Sequence, residues 1–451
     1  MVSGVVSIQL TYCLHPLYMY NILNILAHKI LPIWVYDRLI GRWNVFGIKK
    51  YASNTIWALV ARIFNLATSL FVTIYLIRYL GPTNYGELSY AISFVGLFGI
   101  ISTIGIDNVL YRDLIKYPNE RNSYLGTAFV IRLVSGSLAS IIVGTLGFYL
   151  NQNDVSRLVI LLLSLTFIFS AFNIITNEFQ ANVAQKYPSL VTIVVVLILN
   201  ILKIGVIVSG GGVLYIASIL LLEPILYAFF FSYIRVKHYG SFKNWRFDKK
   251  IARSLLIDAW PFIFIAVFMT LYARIDQIML KHMVDSAAVG IYDAALRLAD
   301  AWHFIPAIIT SSLFPAIVNA KNISIKEYRT RLLTLTTIFV ALAVIIALPL
   351  SLLSGPIINL IYGQPFAGSS IVFTIYIWVG VWAVIDIVTR NFLIVENMRK
   401  TIFFLTIGTA LLNTGLNFIL IPLYGPAGAA WSTFISYAVL SLPIIVIYKL
   451  K

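Results

Sequence analysis

Four cations, Arg62, Arg132, Lys203 and Arg274, stand inside long apolar runs with no Asp or Glu three or four residues away. A charge held at bilayer depth costs a few kcal/mol, so each must find a partner on another segment, in water or on a ligand. Guanidinium groups hold phosphate oxygens through paired N–H donors, which makes a phosphate-bearing molecule the ligand chemistry they suit. At 1.5 Å per residue, along segments entered from the same side, Arg62 and Arg132 lie about 12–14 Å deep and Lys203 and Arg274 about 24–30 Å. Two tiers of cations at different depths suit an anion that has to cross. The structural alternative is that Arg62 and Lys203 snorkel to the two interfaces. If the four are unpaired, removing one relieves desolvation rather than stranding a partner.

Other charges explain themselves locally. Asp386 precedes Arg390 by four residues, and Asp293 and Asp300 bracket Arg297 at four and three, spacings that place each set on one helix face. These five read as structural ion pairs. Glu223, just before Pro224, and Asp276 are the intramembrane acids suited to coupling with a proton or sodium ion, or to pairing with a cation on another helix. The N-terminal half then holds one embedded acid, Glu223, against Asp258, Asp276, Asp293, Asp300 and Asp386 in the C-terminal half. His303 reads as a packing residue. No P-loop, nucleotide-binding pattern or metal-ligand cluster appears, so the chain is read as no enzyme, with no catalytic residue, cofactor or metal. The single cysteine, Cys13, excludes an internal disulfide.

Such residues must be positioned by membrane helices. With 60% hydrophobic and 11% charged residues over 451 positions, and a mean hydropathy of +0.91, the chain is an all-α polytopic membrane protein rather than a soluble globule. Apolar runs at about 54–80, 88–106, 123–150, 158–178, 187–209, 213–234, 254–281, 287–318, 331–353, 369–394, 400–422 and 426–449 give about twelve transmembrane helices. They fall into an N-lobe (residues 49–234, helices 1–6) and a C-lobe (254–451, helices 7–12). The linker 235–253 carries Arg235, Lys237, Lys243, Arg246, Lys249, Lys250 and Arg253 against Asp248 alone. The net charge of +16 is therefore a topology signal and not a nucleic-acid footprint. The linker, both ends of the core and every connection on that side lie in the cytoplasm, while the other connections hold only Arg78, Arg157 and Lys281. Residues 1–48 form an N-terminal extension without a signal-peptide pattern.

The segment Leu80 to Gly86 with Tyr90-Ala91 follows the first helix much as Met283 to Gly290 with Tyr292-Asp293-Ala294 follows the seventh, a parallel repeat that places a substrate site between the halves. The run Ala273-Arg274-Ile275-Asp276-Gln277, then Val289-Gly290-Ile291-Tyr292-Asp293, Phe304-Ile305-Pro306 and Leu313-Phe314-Pro315, resembles helices seven and eight of polysaccharide flippases, the Wzx-type O-antigen and capsule translocases. Arg78 to Gly86, Phe179-Gln180-Ala181, Leu360 to Gly363 and Ile421 to Ala430 extend the resemblance from Lys49 to Lys451. It implies the fold shared with multidrug-and-toxin exporters and lipid II flippases, two six-helix lobes around a central cavity. It also implies alternating-access translocation of a polyprenyl-diphosphate-linked oligosaccharide across the cytoplasmic membrane for surface polysaccharide biosynthesis. Arg62, Arg132, Lys203 and Arg274 would bind the substrate. The implied partners are that lipid-linked oligosaccharide, the bilayer, a proton or sodium ion and other polysaccharide-assembly membrane proteins. An ion-coupled multidrug exporter of the same superfamily is the alternative, disfavoured by the unpaired cations. A polymerase or glycosyltransferase would need a larger outer loop or catalytic domain.

Charge counting generates one direct test. Reporters fused after Lys451 and inserted between Lys243 and Lys250 should both be active only as cytoplasmic fusions; an outward-facing reporter at either place overturns the topology.

Overall fold

The computed structural model describes residues 45–151, 153–303, 305–306, 309–310, 319–321, 324–396 and 398–450. Residues 1–44 of the expected N-terminal extension, with Cys13, and most of the second half of the expected eighth segment lie outside them. The chain runs through α1 (Val45–Leu97), α2 (Gly99–Thr103), α3 (Asp107–Lys116), α4 (Arg121–Leu150), α5 (Asp154–Ser164), α6 (Thr166–Phe169), α7 (Ile174–Ala181), α8 (Lys186–Val208) and α9 (Val213–Tyr239). The second half comprises α10 (Lys249–Met283), α11 (Ser286–Asp300), α12 (Ile325–Leu352), α13 (Ser354–Ile361), α14 (Ser369–Val395), α15 (Arg399–Tyr424) and α16 (Pro426–Leu450). Among the described residues, eight helices are long and apolar enough to cross a bilayer. That count treats α1 as one helix, although it carries two of the expected segments. It omits α10, which has Arg253, Asp258, Arg274, Asp276 and Lys281 along its length.

Local chemistry accounts for the interruptions. α1 breaks at Gly81, whose φ of 70° suits a residue without a side chain, and Pro82 lacks the N–H that would continue the ladder. The chain there turns from a first leg into a second. The expected helix over 158–178 is instead α5, α6, a 3-10 turn at Ser170–Asn173 and α7. Along it the hydroxyls of Ser164, Thr166, Ser170 and Thr176 each donate to the carbonyl three residues back, competing with the regular α ladder.

The linker is shorter and better ordered than its composition suggests. α9 continues through Arg235 and Lys237 to Tyr239, and Gly240 ends it at φ 88°. Arg235 is fully buried: its Nε donates to Glu178 at 3.1 Å, a terminal nitrogen donates to the Gly240 carbonyl at 2.7 Å, and Phe242 and Trp245 flank the guanidinium at 4.7 Å each. Asp248 then caps α10, accepting from the backbone N–H groups of Lys250 and Ile251. Its own N–H donates to Thr127 on α4. The segment is thus fastened to the N-terminal half, and its end of the molecule is termed the basic face below.

At the opposite face the two halves meet backbone to backbone. A Cβ on Gly86 would stand 1.7 Å from the Ser286 carbonyl oxygen, and one on Gly290 would stand 2.1 Å from that of Pro82. The second leg of α1 and α11 therefore cross where only glycine fits. Both glycines belong to the repeated motif.

Candidate functional site

A polar seam surrounds that crossing. Glu87, buried on α1, accepts from Lys281 Nζ at 2.5 Å, Ser286 Oγ at 2.5 Å, Asn153 Nδ2 at 3.1 Å and the Ser156 hydroxyl. Ser89 and Ser93 donate to Gln277 Oε1, and Gln277 Nε2 donates to Asp293 Oδ1 at 2.9 Å. Tyr85 donates to Asp293 and accepts from Arg297 Nε at 2.5 Å. Every one of these sets joins the N-terminal half to the C-terminal half.

Where the seam ends, a cavity of about 760 Å³ begins. It shares Gln277, Asp293 and Arg297 with the seam and reaches toward the basic face as far as Ile63 on the first leg of α1. Arg274 lines it, with its Nε near Gly96, and makes no ion pair or hydrogen bond among the described residues. Arg62 is exposed one residue from Ile63, at that end of the cavity. Lys203 on α8 is half-buried, within electrostatic reach of Glu223 on α9 and of Arg297, without a direct ion pair. Its counter-charge thus comes from a neighbouring helix, and Glu223 is that neighbour.

Arg132 departs from expectation. It is buried in the N-terminal half, donates to Asp107 Oδ2 at 2.8 Å and to the Ser170 carbonyl at 3.4 Å, and does not line the cavity. Its partner lies on α3, in the turn after the second apolar run, where no periodicity along α4 could reveal it. The acid asymmetry between halves is likewise smaller than expected, since Glu87 and Glu178 are both buried in the N-terminal half.

The local pairs form with one correction. Asp293 holds Arg297 Nε at 2.8 Å, and Asp386 holds Arg390 Nε at 2.6 Å. Asp300 instead pairs with His303 Nδ1 at 3.1 Å. The Arg297 guanidinium turns toward the seam, one turn away from Asp300, so three-residue spacing alone does not bring that pair together. Arg390 also donates to Thr406, and both residues line a smaller cavity of about 230 Å³ with Tyr272 and Tyr437.

Asp276 is a second buried acid of the cavity. Tyr292 donates to it at 2.6 Å, Asn417 Nδ2 at 2.5 Å and Thr433 at 2.9 Å, so all its direct partners are neutral. Asn413 bridges Asn417 and Thr433, and the buried Asn417 Oδ1 has no partner. Sequence reasoning passed over this shell, although Asn413 and Asn417 at i and i+4 in an apolar helix mark a polar face. Likewise Glu87, directly after the motif glycine, was a signal for the seam.

The family model described as "Polysaccharide biosynthesis protein" matches residues 51–321. A curated protein of Haloferax volcanii, named probable flippase AglR, is 26% identical over 171 residues, covering 37% of this chain and 35% of that one. The match therefore spans about a third of that relative. Among solved structures, lipid II flippase MurJ in an inward closed conformation aligns with a TM-score of 0.71 at 17% identity, over 88% of this chain and 87% of that one. An inward-facing multidrug resistance MATE family transporter of the MOP superfamily also gives 0.71, at 13% identity over 86% and 94%. An outward-facing MATE transporter gives 0.60, at 15% identity over 89% and 95%. At these identities the structures establish a common fold.

Arg132 supplies a test of the ion-pair assignment. Arg132→Ala should lower thermal stability in detergent, by about 1.5–3 kcal/mol for the loss of charge-assisted hydrogen bonds, whereas an unpaired cation would be removed at no cost. Unchanged melting would return Arg132 to the ligand-binding set.

Proposed function

The chain belongs to the polysaccharide biosynthesis protein family, and from that premise we propose that it translocates a polyprenyl-diphosphate-linked oligosaccharide across the cytoplasmic membrane for surface polysaccharide assembly. Arg274, a guanidinium left unpaired among the described residues in a cavity between two halves, is the observation that carries this reading. Its forked donors suit diphosphate oxygens, and the low-dielectric wall strengthens their attraction. Arg62 meets the headgroup at the mouth and Arg274 holds it deeper, while Arg297 stays paired with Asp293 at the cavity wall. The lipid tail stays in hydrocarbon while the sugars occupy the polar space. No bond is made or broken in this cycle; the protein works by binding and rearrangement.

The basic face is the cytoplasmic one in this reading, and the seam closes the outer side. Alternating access then requires the contacts around Gly86 and Gly290 to part as the cavity closes behind the substrate. Asp276 is the coupling residue. The carboxylate, the amide oxygens of Asn413 and Asn417 and the Thr433 hydroxyl suit a proton or a hard cation such as sodium, which the orphaned Asn417 Oδ1 would help to hold. Glu223 serves as the counter-ion of Lys203. The exporter alternative is weaker because Asp293 and Asp300 already have cationic or imidazole partners, whereas Arg274 has none among the described residues.

Deletion of the gene should accumulate lipid-linked oligosaccharide facing the cytoplasm; unchanged glycans with altered drug tolerance would favour the exporter. Arg274→Ala should reach the membrane at normal levels and export almost no glycan, with Arg274→Lys retaining part of the function if charge dominates over geometry. Wild-type export from Arg274→Ala would remove the carrying observation.

Asp276→Asn should keep substrate binding and lose dependence on an ion gradient, measured as uptake in vesicles with imposed proton or sodium gradients. Loss of folded protein would instead mark Asp276 as a structural hydrogen-bond acceptor.

A further inference from the structure

On the flank of the N-terminal half, an apolar groove of about 500 Å³ runs between the segment carrying Phe169 and Phe172 and the half of α9 nearer the basic face. It shares no lining residue with the central cavity. Its α9 wall extends from Ile225 to Val236, about 16 Å at 1.5 Å per residue, which is close to half the hydrocarbon thickness of a bilayer. The groove is thus the length of one leaflet.

Its polarity changes along that length. Phe229, Tyr233 and Lys237 succeed one another at i, i+4 and i+8 on one face of α9, all exposed, giving an apolar ring, a ring with a hydroxyl, and then a cation. The linker stands beside the same end. Phe172 in the groove packs on Phe129, and Phe129 packs on Trp245, next to the 3-10 turn Phe242–Asn244 that presents Lys243 to solvent.

Two of the nearby acids are already engaged. Glu178 is consumed by Arg235, and Asp248 caps α10, so Lys237, Lys243 and Arg246 remain exposed without an ion pair among the described residues. Because the linker is fastened to α4, these charges hold fixed positions rather than trailing from a flexible tether. We propose that this flank is a binding site for an anionic phospholipid, with one acyl chain in the groove and the phosphate headgroup against Lys237 and Lys243. Charge complementarity selects the headgroup, since basic clusters at the end of a membrane helix attract anionic lipid. The groove is separate from the central cavity, where the diphosphate of the transported lipid is engaged at Arg274 in the proposed function.

The test is native mass spectrometry of the full chain released from nanodiscs containing equal phosphatidylglycerol and phosphatidylcholine. The wild type should retain phosphatidylglycerol in preference, by about ten-fold. Lys237→Gln with Lys243→Gln, both at exposed positions, should abolish the preference while phosphatidylcholine retention stays unchanged. Ser232→Trp, which fills the groove, should reduce retention of both lipids; gel filtration checks its fold, and the lysine variant decides alone if it fails. Equal retention of the two lipids by the wild type, or a preference that survives the lysine substitutions, overturns the proposal. So does undecaprenyl phosphate displacing phosphatidylglycerol in a manner sensitive to Ser232→Trp, which would assign the groove to the substrate's tail.

Discussion

The architecture depends on a close approach of two helices at Gly86 and Gly290, where backbone meets backbone and no side chain can intervene. Such an approach brings main-chain dipoles and short polar side chains of both halves into one small volume. Glu87 there collects Lys281 and Ser286 from the other half, and Gln277 collects Ser89 and Ser93. Without the glycines the helices would stand apart by at least a side chain, and these hydrogen bonds would not form. The seam leaves the central cavity to the space between the halves nearer the basic face.

The bilayer then sorts the remaining charges. An ion in hydrocarbon has to be paired, hydrated or bound, and the structure shows the first solution repeatedly, in Arg132 with Asp107, Arg297 with Asp293 and Arg390 with Asp386. Against that background two groups differ. Among the described residues, Arg274 has an open cavity before it and no ion-pair or hydrogen-bond partner, and Asp276 has hydrogen-bond partners that are all uncharged. These are the two groups on which the proposed transport cycle rests.

The linker shows how composition can mislead about order. Its run of cations suggests a solvated tether, yet Arg235 is among the most buried large side chains of the chain, enclosed by Glu178, Phe242 and Trp245. Burying one guanidinium in this way lets the rest of the segment fold against α4. Its remaining cations become a fixed surface as well as a topology signal.

What the sequence determined by itself is everything that depends on neighbours along the chain. Apolar runs of bilayer length, the bias of Lys and Arg to one side, the repeated glycine motif, and the pairs Asp293 with Arg297 and Asp386 with Arg390 were all legible, because helical periodicity places i and i+4 on one face whatever the fold. Asp300 marks the limit of that rule: at three residues from both Arg297 and His303 it satisfies either pairing, and only the direction taken by the Arg297 side chain decides for His303. The other partners were decided by tertiary structure alone. Arg132 meets Asp107 across 25 residues, Arg235 meets Glu178 across 57, and Lys281 meets Glu87 across 194. Spacing along one helix carries no information about which face of another helix it will meet, so these ion pairs, and with them the identity of the one cavity cation left free among the described residues, appear only once the helices are packed.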